Sequence, residues 1–190
     1  MTKIRYGLIG TGMMGYEHIN NLKLMPGAEI VGITDPVPQS IQLAQAFLGD
    51  EIKDAVTVYP DRAAMLGDPT IDAVLISSPN FTHAEVLRDA IASGKHVLCE
   101  KPLATTIEDV REIHALGRKH KGVFWVGMEY RYMPPAARFI EEIAAGKIGR
   151  LAMLAIREHR FPFLKKVGDW NRFSKNTGGT MVEKCCHFFD

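Results

Sequence analysis

Short apolar runs alternate with amphipathic stretches through the first two thirds of the chain. Apolar runs of four to eight residues are typical of strands, whereas apolar positions three and four apart are typical of helices. The runs predict strands over residues 4–9, 28–34, 55–59, 72–77, 96–99 and 123–127. The stretches predict helices that end near residue 24, begin near residue 40, and cover 61–66, 82–92 and 107–120. This alternation predicts an α/β fold with a doubly wound, parallel sheet.

The pattern changes after Gly127, which marks a second unit. A helix is predicted over residues 131–145, with two prolines tolerated near its first turn. Residues 150–161 form a β-compatible run that Pro162 ends, and residues 162–177 are expected to be irregular. We therefore predict a first domain over residues 1–123 and the incomplete start of a second over 124–190, with the chain as the N-terminal part of a longer protein.

Composition narrows the classes of partner. The 190 residues carry a net charge of +1 with no basic block, so neither nucleic acid nor an anionic membrane is an expected partner. Three cysteines without framework spacing indicate a reducing compartment, and no apolar segment is long enough to span a membrane. A cytoplasmic protein is expected.

A glycine-rich turn joins the first predicted strand to the first predicted helix. Its sequence fits the G-x-G-x-x-G pattern of dinucleotide-binding turns. Gly10 permits the tight turn, Gly12 lets the backbone approach a pyrophosphate, and Gly15 allows the helix to pack on the strand. The other members of the turn are Thr11, Met13 and Met14. The alternative is a glycine-rich turn that binds no ligand.

Asp35 ends the second strand, about twenty residues beyond Gly15. A carboxylate at this position accepts hydrogen bonds from the adenosine ribose and repels a 2′-phosphate. The next three residues supply no arginine, so NAD is predicted as the cofactor in preference to NADP. The alternative is that Asp35 caps the following turn.

The segment after the fourth strand lies at the carboxyl edge of the sheet, where ligands bind in such folds. It contains Ser78 and Asn80. Contact with the cofactor and capping of the next helix are both open for Asn80.

Several further motifs resemble the Gfo/Idh/MocA oxidoreductases, a family that includes glucose–fructose oxidoreductase and inositol dehydrogenase. They are His18 after the glycine turn, Ser78-Pro79-Asn80 with His83, Glu100-Lys101-Pro102, Trp170-Asn171-Arg172, Gly178-Gly179, and Glu183-x-x-x-His187-x-x-Asp190. The resemblance spans the whole chain. The Glu-Lys-Pro triplet with the distal histidine is fairly specific, whereas the glycine motif alone is not.

The resemblance implies a Rossmann domain followed by an α+β substrate domain with an open-faced, mainly antiparallel sheet. It also implies that Lys101, Glu183 and His187 correspond to the catalytic lysine, acid and histidine. Family members often carry aspartate where Glu183 stands, so the carboxylate here reaches further by one methylene. Further cofactor contacts are expected at His83, where packing is the alternative, at Glu100, at Lys101 and at Arg131, which could anchor either cofactor or substrate. The resemblance also implies that the missing sheet of the second domain would provide a surface for homo-oligomer formation.

The predicted chemistry centres on Lys101 and His187. An ammonium at the sheet edge stabilises negative charge on a substrate oxygen, and an imidazole takes the hydroxyl proton. Glu183 is four residues before His187 in a segment predicted to be helical, so the two should share a face. The alternatives are an ion pair of Lys101 with Glu100 and a merely packed histidine.

Trp170 and Arg172 are expected either to wall the substrate pocket or to pack in the core. A metal site is not expected, because no second group of ligands accompanies Glu183, Cys186 and His187. The predicted function is an NAD-dependent oxidoreductase that acts on a hydroxyl or keto carbon of a sugar, cyclitol or related polyol. An NAD-dependent glycoside hydrolase of the same family and a non-catalytic NAD-sensing regulator are the alternatives.

Overall fold

A six-stranded parallel sheet forms the centre of the molecule. The computed structural model describes residues 2–159 and 165–190. The strands are β1 (Ile4–Ile9), β2 (Ala28–Thr34), β3 (Thr57–Val58), β4 (Ala73–Ile76), β5 (His96–Glu100) and β6 (Phe124–Gly127). Their order is β3-β2-β1-β4-β5-β6, and every neighbouring pair is parallel. The predicted parallel Rossmann sheet is confirmed.

Helices connect the strands and continue after β6. They are α1 (Met13–Lys23), α2 (Pro38–Leu48), α3 (Arg62–Gly67), α4 (His83–Ala92), α5 (Ile107–Gly117), α6 (Pro134–Ala144), α7 (Ser174–Thr177), α8 (Thr180–Glu183) and α9 (Cys186–Phe189). Side-chain caps start two of them, since Asp61 accepts the Ala64 N–H at α3 and Thr106 accepts the Asp109 N–H at α5.

Helices cover both faces of the sheet, because each strand alternates its side chains between two cores. Leu8 and Leu75 pack with buried residues of α1 and α2. Ile9 and Ile76 pack on the opposite face, with buried residues of α3, α4 and α5. All four residues of β4 are buried, as the apolar run predicted.

The sheet extends beyond residue 123, because β6 hydrogen-bonds to β5 as far as Gly127. The β-compatible run at residues 150–161 does not form a strand over 150–159, where it leaves apolar side chains such as Met153 exposed, and Phe161 and Pro162 lie outside the described residues. The sequence offers this run no later strand to pair with, which is consistent with the absence of a strand in its described part. The expected irregular segment contains a 3-10 turn, Val167–Arg172, followed by α7.

The helices of the described residues are all too short or too polar to cross a membrane.

Candidate active site

A cleft of about 1460 Å³ opens at the carboxyl edge of the sheet. The carboxyl ends of parallel strands meet at this edge, and the strand order reverses between β1 and β4. The loops after β1, β2, β4, β5 and β6 line the cleft together with residues of the 165–190 segment.

The three glycines of the turn serve different parts of this cleft. Gly10 has φ +91°, and a Cβ there would lie 2.5 Å from the backbone nitrogen of Ser78. A Cβ on Gly15 would lie 2.9 Å from the carbonyl oxygen of Gly10. A Cβ on Gly12 would meet nothing within 4 Å, although Gly12 lines the cleft. Gly10 and Gly15 therefore allow close packing inside the protein, whereas Gly12 keeps space open for a ligand.

The N-terminus of α1 faces the same space. Gly12 is the N-cap residue, and no side chain in the described residues caps the helix. Met13 and Met14 line the cleft, and the Thr11 hydroxyl is buried without a hydrogen-bond partner. Uncapped N–H groups and the positive end of the helix dipole suit a pyrophosphate.

Asp35 fastens the glycine turn to the end of β2. One carboxylate oxygen accepts the Thr11 N–H at 2.8 Å, and the other accepts the Val37 N–H at 2.8 Å. Asp35 therefore also caps the turn that follows it, which was the alternative to ribose binding. Each oxygen retains a lone pair, so the carboxylate can also accept ribose hydroxyls.

Arg62 also lines this cleft, which sequence reasoning missed. Its guanidinium donates to Asp89 at 2.7 Å and to Glu85. Two carboxylates therefore already engage this cleft-lining arginine.

The loop after β4 holds Asn80 in the cleft wall. Ser77 ties this loop to the glycine turn by donating to the Gly10 carbonyl oxygen at 2.7 Å. Asn80 is buried, its side chain does not cap α4, and its Nδ2 has no hydrogen-bond partner. An unsatisfied buried donor costs about 1–3 kcal/mol, so a cofactor oxygen here would be favoured.

His83 is buried between two loops of the cleft wall. Its side chain is fully buried, with Nδ1 2.7 Å from the Pro102 carbonyl oxygen and Nε2 2.9 Å from the Ser78 carbonyl oxygen. Burial lowers the pKa of His83, although both carbonyls act in the opposite direction. His83 thus packs between the loops after β4 and β5 while it also lines the cleft, and the cofactor contact expected there stays a prediction.

Glu100 and Lys101 lie at the end of β5 with different partners. Glu100 is buried and lies 2.8 Å from Nε2 of His18. Burial alone would raise the pKa of Glu100, but the His18 hydrogen bond and the Lys101 charge hold it below its usual value. The Lys101 ammonium donates to the backbone carbonyl oxygen of Glu183 at 3.2 Å. Within the described residues, Lys101 and Glu100 form no side-chain ion pair.

His187 lies close to this lysine in the cleft wall. Its imidazole stacks on the Tyr130 ring, with centroids 4.0 Å apart and planes 9° apart. Nε2 lies 3.6 Å from a carboxylate oxygen of Glu129, and Nδ1 is buried without a partner. Burial lowers the pKa of His187, while the Glu129 charge raises it and the Lys101 charge lowers it further.

Glu183 and His187 do not share a helix face, contrary to the prediction. The helix α8 ends at Glu183, and α9 begins at Cys186 after a break at Lys184 and Cys185. The backbone carbonyl oxygen of Glu183 accepts a hydrogen bond from the Lys101 ammonium. The expected orientation of His187 by Glu183 is therefore not found.

Three other expected residues occupy distinct places. Arg131 points its guanidinium at Asp190, with two contacts of 2.6 Å, and does not line the cleft, so the predicted cofactor contact is not found. Trp170 lines the cleft, with the Lys166 ammonium 4.7 Å from its ring centroid. Arg172 is exposed outside the cleft lining, so it does not form part of the pocket wall.

Among the described residues no group of three potential metal ligands comes together.

Glu129 is the most informative residue that sequence reasoning missed. It directly follows Met128 at the carboxyl end of β6, the sheet edge that also places Asn80 and Lys101. The rule that parallel strands end at one edge, applied to β6, would have found it.

The strand order, the uncapped helix behind the glycine turn and the aspartate ending β2 define a dinucleotide-binding Rossmann protein. The chain belongs to the Gfo/Idh/MocA oxidoreductase family. Residues 4–128 match the family described as an oxidoreductase family with an NAD-binding Rossmann fold, and residues 140–190 match its C-terminal alpha/beta domain. The predicted family and NAD as the cofactor are confirmed.

Relatives in this family include dehydrogenases of cyclitols. Inositol 2-dehydrogenase 3 of Saccharopolyspora erythraea is 38% identical over 84% of this chain and 46% of its own length. Myo-inositol 2-dehydrogenase of Thermotoga maritima is 31% identical over 98% of this chain and 53% of its own length. The structure of myo-inositol dehydrogenase from Lactobacillus casei with NAD(H) and myo-inositol matches with a TM-score of 0.70 and 33% identity, over 78% of this chain and 43% of that one. The chain spans about half the length of these relatives.

Proposed function

We propose that the complete protein is an NAD-dependent oxidoreductase that transfers a hydride between nicotinamide and a hydroxyl or keto carbon of a sugar, cyclitol or related polyol. One observation carries this proposal: the Lys101 ammonium and the His187 imidazole line the same cleft as the glycine turn and Asp35. The names of the relatives support a cyclitol as the first substrate to test.

NAD would be held by the N–H groups at the start of α1, by Asp35 at the ribose and by Asn80 in the cleft wall. When bound, NAD supplies the hydride acceptor or donor. The space beside Gly12 and the unpaired Asn80 donor both fit such a ligand.

Lys101 would bind the substrate oxygen. Its ammonium has three donors, and the structure gives one of them to Glu183. The others can donate to a hydroxyl whose oxygen gains negative charge during oxidation, and a positive charge stabilises that state.

His187 would take the hydroxyl proton. Burial favours its neutral form, which is the form that acts as a base near neutral pH. The stacked Tyr130 ring holds the imidazole plane, so the base does not have to be oriented during the reaction.

The domain organisation follows from the same placement. We propose that the first domain binds NAD and that the residues after Gly127 open a substrate domain, in which Trp170 forms a cleft wall. A small polyol would be the partner, and we further propose a cytoplasmic protein that associates with copies of itself. The three cysteines are free, which supports a reducing compartment.

The test is to incubate the complete protein with NAD⁺ and a panel of cyclitols, aldoses and sugar acids while NADH absorbance is followed. Net NADH formation with one class of polyol is the expected result. Cleavage of a glycoside without net NADH would favour the hydrolase alternative. NAD binding without turnover of any polyol or glycoside would favour the regulator.

A further inference from the structure

The imidazole of His187 has a carboxylate neighbour from a distant part of the chain. Glu129 belongs to the 3-10 turn Glu129–Tyr132 that follows β6, and its carboxylate is 3.6 Å from Nε2 of His187. Both residues line the cleft. Tyr130, the next residue in this turn, stacks on the imidazole. Two successive residues of one turn therefore lie against the ring, one at its Nε2 edge and one on its face.

We propose that Glu129, and not Glu183, is the positioning residue for His187, whose positive charge its nearby carboxylate stabilises as the imidazolium forms. This rests on the proposed function, because it assigns the support of the base in that reaction. The substrate hydroxyl proton passes to His187, and the carbon-bound hydrogen leaves as hydride to NAD⁺. Glu129 remains a carboxylate throughout and exchanges no proton.

The charges around His187 explain why such support is needed. Lys101 and Lys184 both disfavour a positive imidazole, and burial acts in the same direction. Glu129 and Glu100 act in the opposite direction, and Glu129 has the larger effect of the two. A carboxylate close to Nε2 thus offsets two ammonium groups when the proton arrives.

The side chain of Glu129 is accessible to solvent, unlike that of His187. The Glu129 side chain is 56% exposed, whereas the side chain of His187 is 2% exposed. The carboxylate is therefore solvated on one side and lies 3.6 Å from the imidazole on the other. Within the described residues His187 has Glu129, and not Glu183, as the carboxylate within ion-pair distance.

The first test is an NMR titration of the His187 ring protons in the unmodified protein and in Glu129→Gln and Glu183→Gln variants. The His187→Gln variant identifies the resonance. Loss of the Glu129 charge should move the His187 midpoint to lower pH, and Glu183→Gln should move it less. An unchanged midpoint in Glu129→Gln, or a larger shift in Glu183→Gln, would overturn the proposal. Glu129 is mostly exposed, so the thermal midpoint of Glu129→Gln should match that of the unmodified protein.

The second test uses kcat/KM for NAD⁺ reduction by the complete protein, with myo-inositol as the first probe. The acid limb should move to lower pH in Glu129→Gln while the plateau falls, since a weaker base transfers protons less effectively. Glu129→Asp, which keeps the charge, should restore part of both. If Glu129→Gln leaves limb and plateau unchanged, the positioning role is wrong. Absence of turnover in the unmodified protein would count against the dehydrogenase, and the NMR titration would still decide the pairing.

Discussion

The Asp35 carboxylate accepts the backbone N–H of Thr11 at 2.8 Å, which joins the end of β2 to the glycine turn after β1. The residue that would bind the adenosine ribose therefore also shapes the loop that would bind the pyrophosphate. The two parts of the cofactor site are linked by one side chain.

Asp35 should determine the choice of dinucleotide. We expect NAD to bind the unmodified protein at least about tenfold more tightly than NADP, or about 1.4 kcal/mol. Asp35→Asn should narrow this ratio, because it removes the charge that repels a 2′-phosphate; its single amide oxygen keeps one of the two backbone hydrogen bonds, to Thr11 or to Val37. Calorimetry with both dinucleotides measures the ratio.

Asp61→Asn is the matched control, since Asp61 also lines the cleft and asparagine preserves its cap on α3. Its NAD/NADP ratio should stay unchanged. Equal or tighter binding of NADP by the unmodified protein would contradict the role of Asp35.

Substitutions at two glycines of the turn should affect different properties, one NAD binding and the other the stability of the protein. Gly12→Ala should weaken NAD binding by about tenfold or more, 1.4 kcal/mol, with little change in the thermal midpoint, because its Cβ would enter only the ligand space. Gly10→Ala should lower the midpoint by several degrees, since a positive φ costs about 1–2 kcal/mol in addition to the clash with Ser78.

Gly27→Ala controls for both effects, because a Cβ there also meets nothing within 4 Å and Gly27 does not line the cleft. Normal NAD affinity in Gly12→Ala would show that the dinucleotide does not pass over this residue.

His83 should matter for stability because it bridges two loops from a fully buried position. His83→Leu removes the one N–H that a neutral imidazole can donate to either the Ser78 or the Pro102 carbonyl oxygen, at a cost of about 1–3 kcal/mol in the free energy of unfolding. Chemical denaturation measures this loss. His114→Leu, on the exposed face of α5, should change the free energy by less than about 0.5 kcal/mol. Similar values for the two variants would argue against the bridge.

The pH dependence of activity should reflect the buried base. The pKa of His187 lies below the ordinary value of 6.5, so the neutral form persists as the pH falls through 6.5. The acid limb of kcat/KM for polyol oxidation should therefore fall below pH 6.5. An acid limb of kcat/KM well above pH 6.5 would mean that burial does not determine the pKa of His187.

Local patterns were enough to predict the sheet. Each strand from β1 to β6 carries its own apolar signal, and the glycine turn and Asp35 are fixed by spacing along the chain. Pairs that depend on distant segments were not predictable in this way. Arg131 binds Asp190, 59 residues away, and Glu129 meets His187 across a similar separation.

Helix continuity was the other source of error. The spacing of Glu183 and His187 implies a shared face only in an unbroken helix, and the chain breaks at Lys184 and Cys185. No glycine or proline marks this break in the sequence.

The central claim is that Lys101 and His187 act on one substrate hydroxyl while other residues hold NAD. The most direct measurement is kcat for NAD⁺ reduction by a polyol beside the NAD dissociation constant, in Lys101→Met, His187→Gln and the double variant of the complete protein. Each single change should lower kcat by about 10²-fold or more with little change in NAD affinity, and the double variant should be hardly slower than the slower single one. Near-normal turnover in His187→Gln would contradict the account.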